Sequence, residues 1–223
     1  MAFLMVTMSL AAIEGTIVAT AMPSIVASVG GFEFYAWVFA AFLLAQATST
    51  PLYGRLADMH GRKPVLLAGI VLFLIGSVLC GFATTMPMLV GFRLVQGFGA
   101  GAIYPVVSTL VGDLYAVADR GRAQGYLSSV WGVSAVLGPL LGGALVERAH
   151  WAYVFWFNVP FGLAALLGLG LFLHESIERS GQRLDLLSAA QMFAVIGAFI
   201  LLVSEGPQLG WLAAAALGAT TLG

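Results

Sequence analysis

Long apolar runs alternate with short polar breaks along almost the whole chain. A helix that crosses a bilayer takes about 20 predominantly apolar residues. On that measure, span 1 is expected from about Met1 to Val29, span 2 from Phe34 to Gly54, span 3 from Pro64 to Ala83 and span 4 from Pro87 to Gly112. Span 5 covers Ala123 to Val146, span 6 Trp151 to Leu173 and span 7 Leu186 to Ser204; an eighth opens near Trp211 and is cut off at Gly223. Spans 2, 3, 5, 6 and 7 hold no Asp, Glu, Lys or Arg. The pattern predicts an all-α polytopic membrane protein with short loops and no room for a soluble domain.

Composition agrees. The chain is 61% hydrophobic and 9% charged, against about 25% charged in soluble domains. The net charge of -1 carries little information, because the distribution of charge matters more than its sum. All but two of the 9 Lys and Arg residues fall in three clusters: Arg55, Arg62 and Lys63; Arg120 and Arg122; Arg179 and Arg183. Basic loops stay in the cytoplasm, so the N-terminus is expected inside, with odd-numbered spans running outward. Tyr35 and Trp37, then Trp151, Tyr153 and Trp156, fall at outer ends, where amphipathic rings favour the headgroup layer.

Several functions lose support at this point. The single cysteine, Cys80, excludes an internal disulfide framework and a cysteine-based metal cluster. No basic segment precedes the first apolar run, so it does not read as a cleaved signal peptide. Neither a phosphate-binding Gly-x-x-x-x-Gly-Lys-Ser/Thr nor a His-Glu-x-x-His occurs, and His60, His150 and His174 lie in predicted loops. An intramembrane enzyme or an ATP-driven pump is therefore unsupported.

Two charges lie well inside spans. Glu14 in span 1 costs several kcal/mol (about 2.5–3.5 on insertion scales) if it is ionised without a partner. It either takes up and releases a proton or hydrogen-bonds in neutral form inside the bundle. Arg93 in span 4 either faces the bundle interior or snorkels to the outer interface, since it starts only about 9 Å inside that end. Counting rise along the chain puts Glu14 and Arg93 about 10 Å apart in depth, which points to a link through water rather than a direct ion pair. Gly97, Ala100, Tyr104 and Ser108 follow Arg93 at helical spacing as a small, mildly polar stripe. Tyr35, Phe39, Phe42, Gln46 and Thr50 share one face of span 2; this is either an aromatic wall of a ligand cavity or ordinary helix packing.

The link between spans 2 and 3 reads Gly54-Arg55-Leu56-Ala57-Asp58-Met59-His60-Gly61-Arg62-Lys63-Pro64. It resembles the G-x-L-A-D-x-x-G-R-K/R element of the major facilitator superfamily, with His60 where an aromatic is more usual. Three more elements follow the same family's order. Arg93-Leu94-Val95-Gln96-Gly97-Phe98-Gly99-Ala100 is similar to R-x-x-Q-G-x-G-A. Gly132 to Gly143, with Gly138, Pro139 and Gly142, resembles the span-5 element of the family's exporters; its two small-residue rows, Ser134-Gly138-Gly142 and Ala135-Pro139-Gly143, suit close helix packing. Ile13-Glu14-Gly15-Thr16-Ile17-Val18 is similar to the drug/proton antiporter span 1, with Glu14 for the usual Asp.

Trp151 to Gly162 resembles the element that opens span 6 of the fourteen-span drug/proton antiporters, although Ala152 stands where Arg is usual. The compact link at 174–185 and the further span fit that branch as well. The resemblance implies an N-terminal six-span bundle (1–173), a cytoplasmic loop (174–185) and extra linker spans (186–223), with a C-terminal half absent. It also implies proton-coupled export of small amphipathic compounds by alternating access. The site residues would be Glu14, Arg93, Gln96, Tyr104, Phe39, Phe42 and Gln46, with Gly54, Asp58, Gly61, Arg62 and Lys63 forming a cytoplasmic latch in which Asp58 pairs across helices.

The proton is the coupling ion and no cofactor is expected. The expected partners are the lipid bilayer, a small-molecule substrate and the missing half, with no nucleic acid among them. A bacterial inner membrane is the expected location. A facilitator or importer of sugars or carboxylates, or a truncated subunit without transport activity, remains the rival reading.

Overall fold

The computed structural model describes residues 1–173, and these residues form helices with no strand among them. The linker loop and spans 7 and 8 lie outside the described residues. The helices are α1 (Ala2–Val29), α2 (Tyr35–His60), α3 (Arg62–Gly81), α4 (Met86–Leu114), α5 (Val117–Arg148), α6 (Tyr153–Trp156) and α7 (Asn158–Phe172). One short 3-10 turn, Phe32–Phe34, joins α1 to α2. Five segments are long and apolar enough to cross a membrane, the last being α6 and α7 taken together. At 26 residues α2 is also long enough to cross, but Gln46, Thr48, Ser49 and Thr50 make its middle less apolar.

Local signals explain the helix ends. α1 stops at Gly30 and Gly31, which both take a φ of 73°, a backbone region that costs side-chain-bearing residues. Gly61, at φ 96°, is the whole break between α2 and α3. Thr85 caps α4 by accepting from the Met88 amide, and Pro87 occupies the first turn, where a missing N–H costs nothing. The expected sixth span is interrupted at Phe157. Ser77 on α3 donates to the Phe155 carbonyl at 2.8 Å beside this break, satisfying a backbone group there.

Helices pair through small residues. A methyl on Gly97 would overlap the Phe42 carbonyl oxygen, one on Gly76 the Gln96 backbone, and one on Gly138 the Thr16 hydroxyl. α4 thus lies close against α2 and α3, and α5 against α1. Without a hydrophobic driving force between helices in lipid, such close approach is a main source of helix association.

Several expectations need correction. Only the Ser134-Gly138-Gly142 row of α5 is buried, whereas Ala135 and Pro139 face outward and Gly132 and Gly143 have open space beside them. α5 packs chiefly on α1, so one row suffices. Arg120 and Arg122 lie in the first turns of α5 and not in a loop. Trp151 is buried in the core with Phe155 and Met22, leaving Tyr153 exposed at that end.

Candidate functional site

Glu14 and Arg93 meet directly. Both side chains are essentially sealed, at 0% and 1% exposure, and Arg93 Nη1 is hydrogen-bonded to Glu14 Oε1. The expectation of a water-bridged separation therefore fails. Counting rise along a helix measures backbone depth, while the guanidinium and carboxylate sit at the ends of side chains long enough to close the gap. Snorkelling fails for the same reason: Arg93 turns inward, where its charge is met.

The pair is held by partners on α2, α4 and α7. Arg93 Nη1 also donates to Gln96 Oε1 at 2.8 Å, and Nε donates to the Val38 carbonyl of α2 at 3.2 Å. The guanidinium carbon lies 4.1 Å from the centre of the Phe42 ring, within cation–π range. Asn158, from the start of α7, donates through Nδ2 to Glu14 Oε2 at 2.6 Å and to Ser77 Oγ at 3.1 Å. Gln96 Nε2 donates to the same Ser77 oxygen at 3.2 Å. Separating buried charges from water is costly unless good geometry and further hydrogen bonds offset it. Here the carboxylate receives two donors and the guanidinium keeps several acceptors.

Two cavities flank this network on different faces of the packed α1–α5 pair. One, of about 250 Å³, is lined by Arg93 together with Phe39, Phe42 and Gln46 of α2 and Trp131 of α5. The other, of about 370 Å³, lies between α1, α5 and α7 and reaches Asn158. Sequence reasoning thus places Glu14, Arg93, Gln96, Phe39, Phe42 and Gln46 together, with Gln96 behind the cavity wall and fully buried. Tyr104 lies elsewhere, 54% exposed on α4 and lining neither cavity.

At the other end of the bundle, Arg62 Nε pairs with Asp113 Oδ2 of α4 at 2.7 Å, and its Nη2 lies 3.8 Å from Asp58 Oδ1 of α2. Lys63 Nζ donates to the carbonyls of Gly170 and Leu173, at 2.8 and 2.6 Å, closing the last turn of α7. Gly54 has open space around it. Asp58 is more than half exposed and pairs loosely with Arg62 across the α2–α3 break, while Asp113 of α4 is the closer carboxylate on the same guanidinium.

Ser77, Asn158 and Asp113 did not stand out in the sequence as site residues. Asn158 lies within the span-6 element, where an amide deep in an apolar run was the available signal. Ser77 had none, because a lone serine in a span is unremarkable until its partners are known.

A profile described as the Major Facilitator Superfamily matches residues 4–223. Multidrug resistance protein 3 of Bacillus subtilis (strain 168) is 44% identical over 176 residues, covering 79% of this chain and 34% of that protein. Multidrug transporter protein MdtP of the same organism is 34% identical, covering 91% of this chain and 38% of its own length. The efflux pump FUS6 of Gibberella fujikuroi (strain CBS 195.34 / IMI 58289 / NRRL A-6831) is 34% identical, covering 92% and 39%. The chain thus spans little more than a third of the length of these relatives. Among solved structures, the human organic anion transporter MFSD10 (TETRAN) aligns at a TM-score of 0.72 with 20% identity, over 90% of this chain and 53% of that one. A bacterial homolog of the human lysosomal transporter Spinster, inward-facing and occupied, aligns at 0.65 with 20% identity, over 92% and 50%. These last two likenesses concern the fold alone.

Proposed function

Because this chain belongs to the Major Facilitator Superfamily, we propose that it is the N-terminal portion of a secondary exporter that exchanges protons for small amphipathic compounds. The observation that carries the reading is the buried Glu14–Arg93 pair. Arg93 keeps Gln96, the Val38 carbonyl and the Phe42 ring as partners whether or not Glu14 is charged. Protonating Glu14 therefore does not strand the guanidinium, and the carboxyl can change charge without undoing the bundle.

The names of the relatives, multidrug and efflux transporters, support the direction and the substrate class. Alternating access against a second half, membership of the fourteen-span branch, a cytoplasmic N-terminus and a bacterial inner membrane belong to the same proposal. In this reading Arg93, Phe39, Phe42 and Gln46 line the half of the substrate path that this chain contributes. The small cluster of Arg62, Asp58 and Asp113 marks the cytoplasmic closure.

The experiment expresses the full-length transporter and measures drug resistance and pH-driven efflux for wild type, Glu14→Gln and Arg93→Ala. Wild type should confer resistance and respond to a pH gradient, and both variants should lose that response. Undiminished pH-driven efflux in Glu14→Gln would refute proton coupling at this residue, and uptake in place of efflux would favour an importer.

A further inference from the structure

Glu14 is sealed, yet each of its two partners opens on a different cavity. Arg93 lines the one beside α2 and Asn158 the one beside α7. The second, at about 370 Å³, falls in the size range of small-molecule sites, about 300–1,000 Å³. Its walls are mainly apolar, built from Leu10 and Ile13 of α1, Val133 and Leu137 of α5, and Phe157 and Phe161 at the span-6 break, with Ser9, Ser129 and Ser134 among them. Val133, Leu137 and Phe161 are also exposed at the bundle surface, so the cavity opens on the face of α5 that α1 leaves uncovered.

Asn158 is the feature that apolar packing does not explain. It is only 2% exposed, and both Nδ2 protons are committed, to Glu14 and to Ser77. Its Oδ1 accepts no hydrogen bond from the described residues, although the side chain lines the cavity. An amide oxygen without a donor at a cavity wall has an acceptor site open, and a ligand bearing one N–H or O–H would fill it.

We propose that the cavity between α1, α5 and α7 binds a lipophilic molecule carrying a single strong hydrogen-bond donor, drawn from the bilayer, with that donor on Asn158 Oδ1. Such a ligand sits one amide away from Glu14. Accepting at Oδ1 polarises the amide and strengthens what Nδ2 donates, which favours the ionised carboxylate and hence proton release when ligand binds. That coupling rests on the exporter reading, whereas the binding site itself does not. Around Glu14 stand Arg93 and Gln96 of α4 and Asn158 of α7, with Ser77 and Cys80 of α3 behind them. The charged residues of α5, which packs on α1, lie near its two ends.

The test uses the complete chain in phospholipid nanodiscs and two fluorescent dansyl-alkyl probes. One is a tertiary amine, protonated and so carrying one N–H; the other is its N-methylated quaternary ammonium, with none. The amine should bind about tenfold tighter, the change expected for one good hydrogen bond. Val133→Trp, which fills the cavity from the exposed face of α5, should weaken amine binding by about tenfold or more with an unchanged melting temperature; Leu137→Phe serves if that variant does not fold. Equal affinity for the two probes, or full amine binding in the folded variants, would overturn the proposal.

A benzophenone attached to Val133→Cys should crosslink to the amine probe. Crosslinks confined to phospholipid, or to residues 174–223 of the chain, would identify a different occupant and likewise overturn it. No pH gradient enters these measurements. A failure here leaves proton coupling at Glu14 standing, and a failure there leaves this site standing.

Discussion

Asn158 Nδ2 donates to Glu14 Oε2 at 2.6 Å, joining residues 144 positions apart. With Arg93 on the other carboxylate oxygen, the contact closes a buried polar cluster to which α1, α3, α4 and α7 each contribute a side chain. α2 adds the Val38 carbonyl and the Phe42 ring. A cluster shared among so many helices fixes the register of the bundle as well as the chemistry of one carboxyl.

The pair itself should be strongly coupled. Removing Arg93 leaves the Glu14 carboxylate uncompensated in an apolar interior, at a cost of about 3–5 kcal/mol, whereas neutralising Glu14 leaves Arg93 its other partners and costs less. Arg93→Gln and Glu14→Gln should each lower thermal stability, and the double variant should lose less than the sum of the two. Melting curves of the four purified forms check this, and additive losses would mean that the charges do not interact.

Gly138 faces Thr16 with no room for a methyl group. Gly138→Ala should push α5 from α1 and destabilise the bundle by about 1–3 kcal/mol, the usual cost of overpacking. Gly132→Ala, in open space on the same helix, should be nearly neutral. A lowered melting midpoint for the first variant only is the expected result.

Lys63 holds the end of α7 through two carbonyls. Lys63→Gln should raise amide hydrogen exchange in the last turn of α7 and leave the middle of α4 unchanged. Mass-spectrometric exchange over peptides ending near Leu173 reads this directly.

Cys80 is the single cysteine and is buried, so cysteines placed elsewhere report cleanly on topology. With a cytoplasmic N-terminus, Glu33→Cys should react with a membrane-impermeant maleimide added to intact cells, and Asp119→Cys should react only after lysis. The reverse pattern would invert the proposed orientation.

The extent of the spans was legible because apolar length is set by bilayer thickness, and Glu14 and Arg93 stood out because charge inside a span is expensive. Their contact was not legible. Depth counted along a helix ignores where side chains end, and partners such as Ser77 and Asn158 are ordinary residues until the fold brings them together. The same limit applied to α5: both of its small-residue rows looked alike in sequence, but only the row facing α1 is buried. Asp113 was hidden at a helix end, where an acidic residue attracts no notice. Its role appears only because the one-residue break at Gly61 aims Arg62 across at α4.

The most direct test of the central claim measures proton release when substrate is added to the detergent-purified full-length transporter in weakly buffered solution. If Glu14 is the coupling carboxyl, wild type releases protons on binding, and Glu14→Gln binds substrate without releasing any. Equal release from the two proteins would contradict the account.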